Sequence, residues 1–236
     1  MPPEPPDRYA VYSFLSDRFT GIDQLDLLQA GGWATAYSFR TEDHELIVRF
    51  GVHHEDFDKE QVASTWTAPD LPVPKFFEAG RAFDGFYIVS QRFYGETLGK
   101  VEASRTPAVV DNLFDILSAI RAVALPGRGY GIWLAPACDA PSTSWADYLT
   151  SARDRDESRL VNWKRSLRAR PDAYNAFQRG CDAIDVVAPT LPNLRSVGHA
   201  DLLLNHLIAP DNSITAVFDW GNALAGDPLY DVAWIL

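Results

Sequence analysis

The sequence is poor in sulfur and in lysine. Its 236 residues include two cysteines and one methionine. Cys138 and Cys181 are too few and too far apart for a disulfide framework or a zinc cluster, and they read as thiols of a cytosolic protein. Four lysines and seventeen arginines face 32 acidic residues, giving a net charge of −11. So acidic a balance argues against non-specific nucleic-acid binding and against adhesion to anionic membranes, while a cationic small-molecule partner is compatible with it. No apolar run approaches the roughly 18 residues of a membrane helix. The opening Met1-Pro2-Pro3-Glu4-Pro5-Pro6 has neither the basic nor the apolar region of a secretory signal, so the expected location is cytoplasmic. Charged residues make up 22% of the chain, too little for a disordered protein or a long coiled coil.

Several enzyme signatures are also missing. There is no His-Glu-x-x-His and no Gly-x-Ser-x-Gly, and His53-His54 lack a third ligand nearby. Gly95-Glu96-Thr97-Leu98-Gly99-Lys100 mimics a phosphate-binding loop. It has three intervening residues instead of four, however, and no Ser or Thr follows Lys100.

What is present is apolar mass: 47% hydrophobic residues, with seven Trp, nine Tyr and thirteen Phe, enough for a real core. Short β-type runs at Leu25 to Gln29, Ala36 to Arg40 and Leu46 to Phe50 are separated by turn residues. A helical stretch from Glu55 to Trp66 follows, then strands near Phe76 to Ala79 and Phe86 to Phe93. After Gly95 the pattern turns helical. Val110, Leu113, Phe114, Leu117, Ile120 and Val123 recur at helical spacing behind a Thr106-Pro107 start. Ser144 to Arg153 and Asp172 to Val187 also read as helices, and Leu207 to Ala209 with Ile214 to Phe218 as a late hairpin. The expected organisation is α+β: a β-rich N-terminal lobe over residues 1–93, a mainly helical C-terminal lobe over 94–236, and a ligand cleft between them.

The informative segments are Gly198-His199-Ala200-Asp201-Leu202-Leu203-Leu204-Asn205-His206, Val217-Phe218-Asp219-Trp220 and Gly226-Asp227-Pro228-Leu229-Tyr230-Asp231. An Asp in a loop, then a hairpin, then a second Asp at a strand end is how phosphoryl-transfer enzymes place their two acidic groups. One accepts the proton of the attacking hydroxyl, and the other holds Mg²⁺ on the nucleotide phosphates. Both are needed, because the transferred group carries spread negative charge and the attacking hydroxyl must be held in line.

At these residues the chain resembles the aminoglycoside phosphotransferase family. The likeness extends to Gly31-Gly32-Trp33-Ala34-Thr35-Ala36-Tyr37-Ser38-Phe39, Leu71-Pro72-Val73-Pro74, Tyr94-Gly95-Glu96-Thr97-Leu98 and Ile214-Thr215-Ala216-Val217-Phe218-Asp219-Trp220. The resemblance implies a bilobal protein-kinase-like fold and an ATP- and Mg²⁺-dependent O-phosphotransferase. The acceptor would be a hydroxyl of a small molecule, an aminoglycoside or aminocyclitol such as hygromycin B. It implies Asp201 as catalytic base, His199 as the residue opening and bracing the same loop, and Asp219 as metal ligand. Asp227 would cap the last helix. For the nucleotide it implies Gly31 in the phosphate-covering turn, Arg49 on the third strand with Glu60 as its ion-pair partner, and Gln91 to Phe93 as the connector meeting adenine.

Two departures stand out. Five residues after its catalytic Asp the family carries Asn, an oxygen ligand for Mg²⁺; here that place is His206, with Asn205 one position early. Either the loop presents Asn205 or the metal site is altered. The sequence also ends in an apolar helix pattern, Tyr230 to Leu236, where the family continues with further helices. The rival expectation is a kinase-like protein that binds a nucleotide or metabolite without turnover, or an inactive remnant.

Overall fold

The computed structural model describes residues 6–30, 33–102, 106–155 and 162–235. The first helix, α1 (Arg8–Ser16), starts at Asp7, whose carboxylate accepts the amides of Tyr9 and Ala10 at 2.8 and 2.9 Å. Five strands follow: β1 (Asp23–Ala30), β2 (Ala34–Arg40), β3 (Glu45–Gly51), β4 (Phe76–Ala82) and β5 (Gly85–Gln91). They form one antiparallel sheet in the order β1-β2-β3-β5-β4. Alternation places Tyr37 and Phe39, Leu46, Val48 and Phe50, and Tyr87 and Val89 on a common face. There they share a core with Val11 and Leu15 of α1. Between β3 and β4 runs α2 (His54–Ala63), extended by a 3₁₀ turn at Ser64–Trp66.

The remainder is mainly helical: α3 (Thr106–Ala122), a short β6 (Gly131–Ile132), α4 (Trp145–Thr150), α5 (Trp163–Arg168) and α6 (Pro171–Val187). Four short strands come next, β7 (Ser196–Gly198), β8 (Leu207–Ile208), β9 (Ala216–Val217) and β10 (Leu224–Gly226), and then α7 (Leu229–Ile235). Strand β10 lies between β6 and β7, while β8 and β9 pair with each other. The buried stripe of α3 is Val109, Leu113, Ile116 and Ile120, packed in one core with Trp133, Val197, Leu202, Leu207 and Trp220. Of the spaced apolar residues that mark this helix in the sequence, Val110 and Phe114 are exposed. The stripe facing the core is rotated from them by one residue. Ala63, Leu71 and Val73 join the same core, so the end of α2 and the segment before β4 anchor in the helical part of the molecule.

Candidate active site

The loop bearing Asp201 leaves β7 through an unusual backbone. Ala200 has φ +60°, a left-handed conformation that alanine rarely adopts, and it is held there from below. The buried Asp231 carboxylate accepts the amides of His199 and Ala200 at 2.8 and 2.7 Å. Burial pushes the Asp231 carboxyl up, and these two amides pull it back by favouring its charged form. His199 is buried against Trp220, with ring centroids 4.6 Å apart, and its Nε2–H donates to the Phe218 carbonyl at 3.0 Å. Burial lowers the His199 pKa to about 4, so the ring is neutral at physiological pH. Having no exposed surface, His199 touches no substrate; it ties the Asp201 loop to the strand end carrying Asp219.

Asp219 follows β9 with φ +71°, a second residue in the left-handed region. Its Oδ2 lies 3.4 Å from Nε2 of His206. Ligand atoms of Asp201, His206 and Asp219 all lie within 4.8 Å of one another. Asp201 is mostly buried, and burial raises its carboxyl above the usual range; His206 and a hydrogen bond from Asn222 pull the other way. A carboxylate raised in this manner is better suited to accept a proton near neutral pH than an exposed one.

Across from this loop, Arg49 of β3 forms an ion pair with Glu60 of α2. Burial pushes the Arg49 guanidinium below its ordinary value, and the charges of Asp219 and Asp56 oppose that. Arg49 is thus within electrostatic reach of the Asp219 carboxylate. The connector after β5 is already partly engaged: the Gln91 amide donates to the Lys75 carbonyl at 2.9 Å and the Arg92 amide to the Glu45 carbonyl at 3.0 Å. Phe93 is half-buried beyond them. Gly31 lies outside the described residues. Asp227 accepts the Leu229 amide at 2.9 Å, at the first residue of α7.

Asn205 and His206 separate clearly. The Asn205 side-chain oxygen is turned to the 97–99 turn, where it accepts the Thr97 hydroxyl at 3.4 Å. His206 instead points into the carboxylate cluster, with Nε2 3.4 Å from Asp219 Oδ2. Two carboxylates suit a divalent cation of any kind. The third donor is an imidazole nitrogen, which does not match the all-oxygen shell that Mg²⁺ prefers.

Three residues in the site carry no role in the sequence reading. The Asn222 side-chain amide donates to Asp201 Oδ2 at 3.1 Å. Lys59 of α2 is buried, and its ammonium donates to the carbonyls of Gly221 and Ala223 at 3.0 and 3.1 Å. Gly221 is required at this junction, since a Cβ there would lie 2.8 Å from the Asp56 side chain. So α2 reaches Arg49 through Glu60 and, one residue earlier, clamps the loop that follows Asp219. Asp231 is the third. Its signal is present in the string Asp227 to Asp231, but spacing alone does not show that it reaches back to β7. Trp133 and Trp145 are 0% and 2% exposed and belong to the hydrophobic core.

The model of a phosphotransferase enzyme family, APH, matches residues 28–236. Hygromycin-B 4-O-kinase from Escherichia coli is 27% identical over 228 residues, which are 95% of this chain and 65% of that protein. The chain therefore spans about two thirds of that relative's length. Among solved structures, a thermostable mutant of aminoglycoside phosphotransferase APH(4)-Ia in ternary complex with ADP and hygromycin B superposes with a TM-score of 0.85. The identity is 25%, covering 95% of this chain and 75% of that one. A putative aminoglycoside phosphotransferase from Ralstonia eutropha shares the fold at a TM-score of 0.62 and 15% identity, covering 97% of this chain and 69% of that one. The α+β architecture is thus the kinase-like one of these proteins: an antiparallel sheet in the N-terminal part and a mainly helical C-terminal part.

Proposed function

The chain belongs to the phosphotransferase enzyme family, and from that premise we propose that it moves the γ-phosphoryl group of ATP to a hydroxyl of a small molecule. The observation that carries this is the convergence of Asp201 and Asp219, eighteen residues apart in sequence, on one cluster with their ligand atoms within 4.8 Å. In this reading Asp201 accepts the proton of the attacking hydroxyl, and Asn222 holds the carboxylate in line through its amide. Arg49, oriented by Glu60, offers fixed positive charge to the nucleotide phosphates. The adenine edge is met at the end of the connector, near Phe93, because the amides of Gln91 and Arg92 are taken. Asp219 and its neighbours would hold a divalent cation, which supplies charge neutralisation on the phosphates when bound.

The proposed acceptor is an aminoglycoside or aminocyclitol, hygromycin B first among them. The support is the relative whose name is that of a hygromycin kinase, together with a net charge of −11 that favours a cationic partner. The proposed location is the cytoplasm, where ATP is available. Incubation with γ-labelled ATP and a panel of aminoglycosides tests the reading: label should pass to one or more of them. A folded chain that labels no hydroxyl compound overturns it.

One observation favours a second reading, nucleotide binding without turnover. His206 stands where the family carries a metal-binding Asn. Tight ATP binding that is indifferent to any divalent cation would support that alternative.

A further inference from the structure

The side chain of His206 is set in one tautomer. Its Nδ1 lies 2.7 Å from the backbone carbonyl of Asp201, and a carbonyl can only accept, so Nδ1 carries the proton. In the neutral ring Nε2 is then a bare lone pair. That lone pair faces Asp219 Oδ2 at 3.4 Å, an acceptor opposite an acceptor. A histidine with one nitrogen donating to a backbone carbonyl, which leaves the other free, is the usual build of a metal ligand. The spacing is within reach of one ion: two donors about 2.1 Å from it stand about 3.0 Å apart at the right angle of an octahedral shell, somewhat closer than the 3.4 Å seen here. Asp201 stands beside this pair, with the ligand atoms of all three residues within 4.8 Å of one another, and stays available to the hydroxyl. Asn205 offers its oxygen elsewhere: its amide oxygen accepts the Thr97 hydroxyl and packs on Gly99, where a Cβ would lie 2.8 Å from it.

We propose that His206 and Asp219 form a mixed nitrogen–oxygen site that takes a first-row divalent transition ion, Mn²⁺ above all, in preference to Mg²⁺. Imidazole binds Co²⁺ and Zn²⁺ well and Mn²⁺ more weakly, whereas Mg²⁺ holds its oxygen shell and gains still less from nitrogen. Mn²⁺ is singled out because it also accepts carboxylate and phosphate oxygens in octahedral geometry, which a nucleotide-bearing site demands. The inference rests on the phosphotransferase reading for the purpose of the ion, but not for its binding.

The test measures binding, not turnover. The full chain with ADP is titrated with Mn²⁺, free Mn²⁺ being followed by electron paramagnetic resonance, and Mg²⁺ is then added as competitor. The expected result is at least about tenfold tighter Mn²⁺ than Mg²⁺ binding, with His206→Asn bringing the two closer and Asp219→Asn removing the site. Co²⁺ offers a second readout, since its visible absorption should change when His206→Asn removes the nitrogen. Equal affinity for Mn²⁺ and Mg²⁺ in the unaltered chain overturns the proposal without recourse to any variant. So does a Mn²⁺ preference unchanged in His206→Asn. A chain that binds Mn²⁺ as stated but labels no acceptor overturns the phosphotransferase reading alone. One that phosphorylates an acceptor with no Mn²⁺ preference overturns this site alone.

Discussion

The carboxylate of Asp231 sits 2.7 Å from the amide of Ala200, a residue held at φ +60°. The strained turn that presents Asp201 is therefore tied to the last helix by a buried anion. Asp231→Leu would leave the amides of His199 and Ala200 without an acceptor. The expected cost is about 2–4 kcal/mol of stability, read from denaturant unfolding. Asp231→Asn, which keeps one acceptor oxygen, should cost less. Equal stability of the leucine variant and the unaltered chain would contradict the role.

His199 gives stability a pH dependence of known sign. Its pKa is lowered from 6.5 to about 4 in the folded chain. Above pH 6.5 neither state holds the proton, and the group adds no penalty. As pH falls from 6.5 towards 4, the unfolded chain protonates first and the fold loses up to about 3 kcal/mol. His199→Gln, which can still donate to Phe218, should show a shallower loss over that window. Identical pH slopes for the two proteins would rule out the buried neutral histidine.

Asn222 should act on Asp201 and on little else. Its amide favours the charged carboxylate, opposing the burial that raises it. Asn222→Leu should therefore move the acid limb of kcat to higher pH and lower kcat about 10–100-fold, with little change in nucleotide affinity. A fall in rate with no displacement of the pH profile would point to a packing defect instead.

Lys59 joins α2 to the loop after Asp219. Lys59→Met preserves volume but leaves the Gly221 and Ala223 carbonyls without their ammonium. Stability should fall by about 2–4 kcal/mol, and cation binding at Asp219 should weaken with it, because the left-handed Asp219 loses its support. Calorimetry of unfolding and of cation binding on the same sample checks both; a loss of one without the other would separate the clamp from the site.

The strands of the sheet and the long helices α3 and α6 can be read from the sequence because each buries one regular face. Helix α1 cannot: only Val11 and Leu15 mark its inner side, too short a pattern to stand out. The sheet of β6, β7 and β10 is equally silent, since two- and three-residue strands carry no period. In the site, Asp201 and Asp219 are legible from their motif, and Arg49 with Glu60 from a strand and a helix known to face each other. Lys59 is not. Flanked by Asp58 and Glu60 on a helix, it reads as a solvated charge, and only the tertiary approach of Gly221 makes it a buried donor. Asn222 and Asp231 fail for the same reason, being neighbours of Asp201 and Ala200 in space alone. The apolar stripe of α3 is legible as a helix but not in its rotation, which the partners Trp133 and Leu202 decide.

The claim on which the account turns is that Asp201 is the proton acceptor in a phosphoryl transfer. The direct measurement is the steady-state rate of Asp201→Asn beside its affinity for ADP, with the acceptor that the unaltered chain labels best. The account predicts a kcat at least about 10²–10⁴-fold lower with ADP affinity unchanged, because the carboxylate is needed for the hydroxyl and not for the nucleotide. An asparagine variant that retains the rate of the unaltered chain would contradict it.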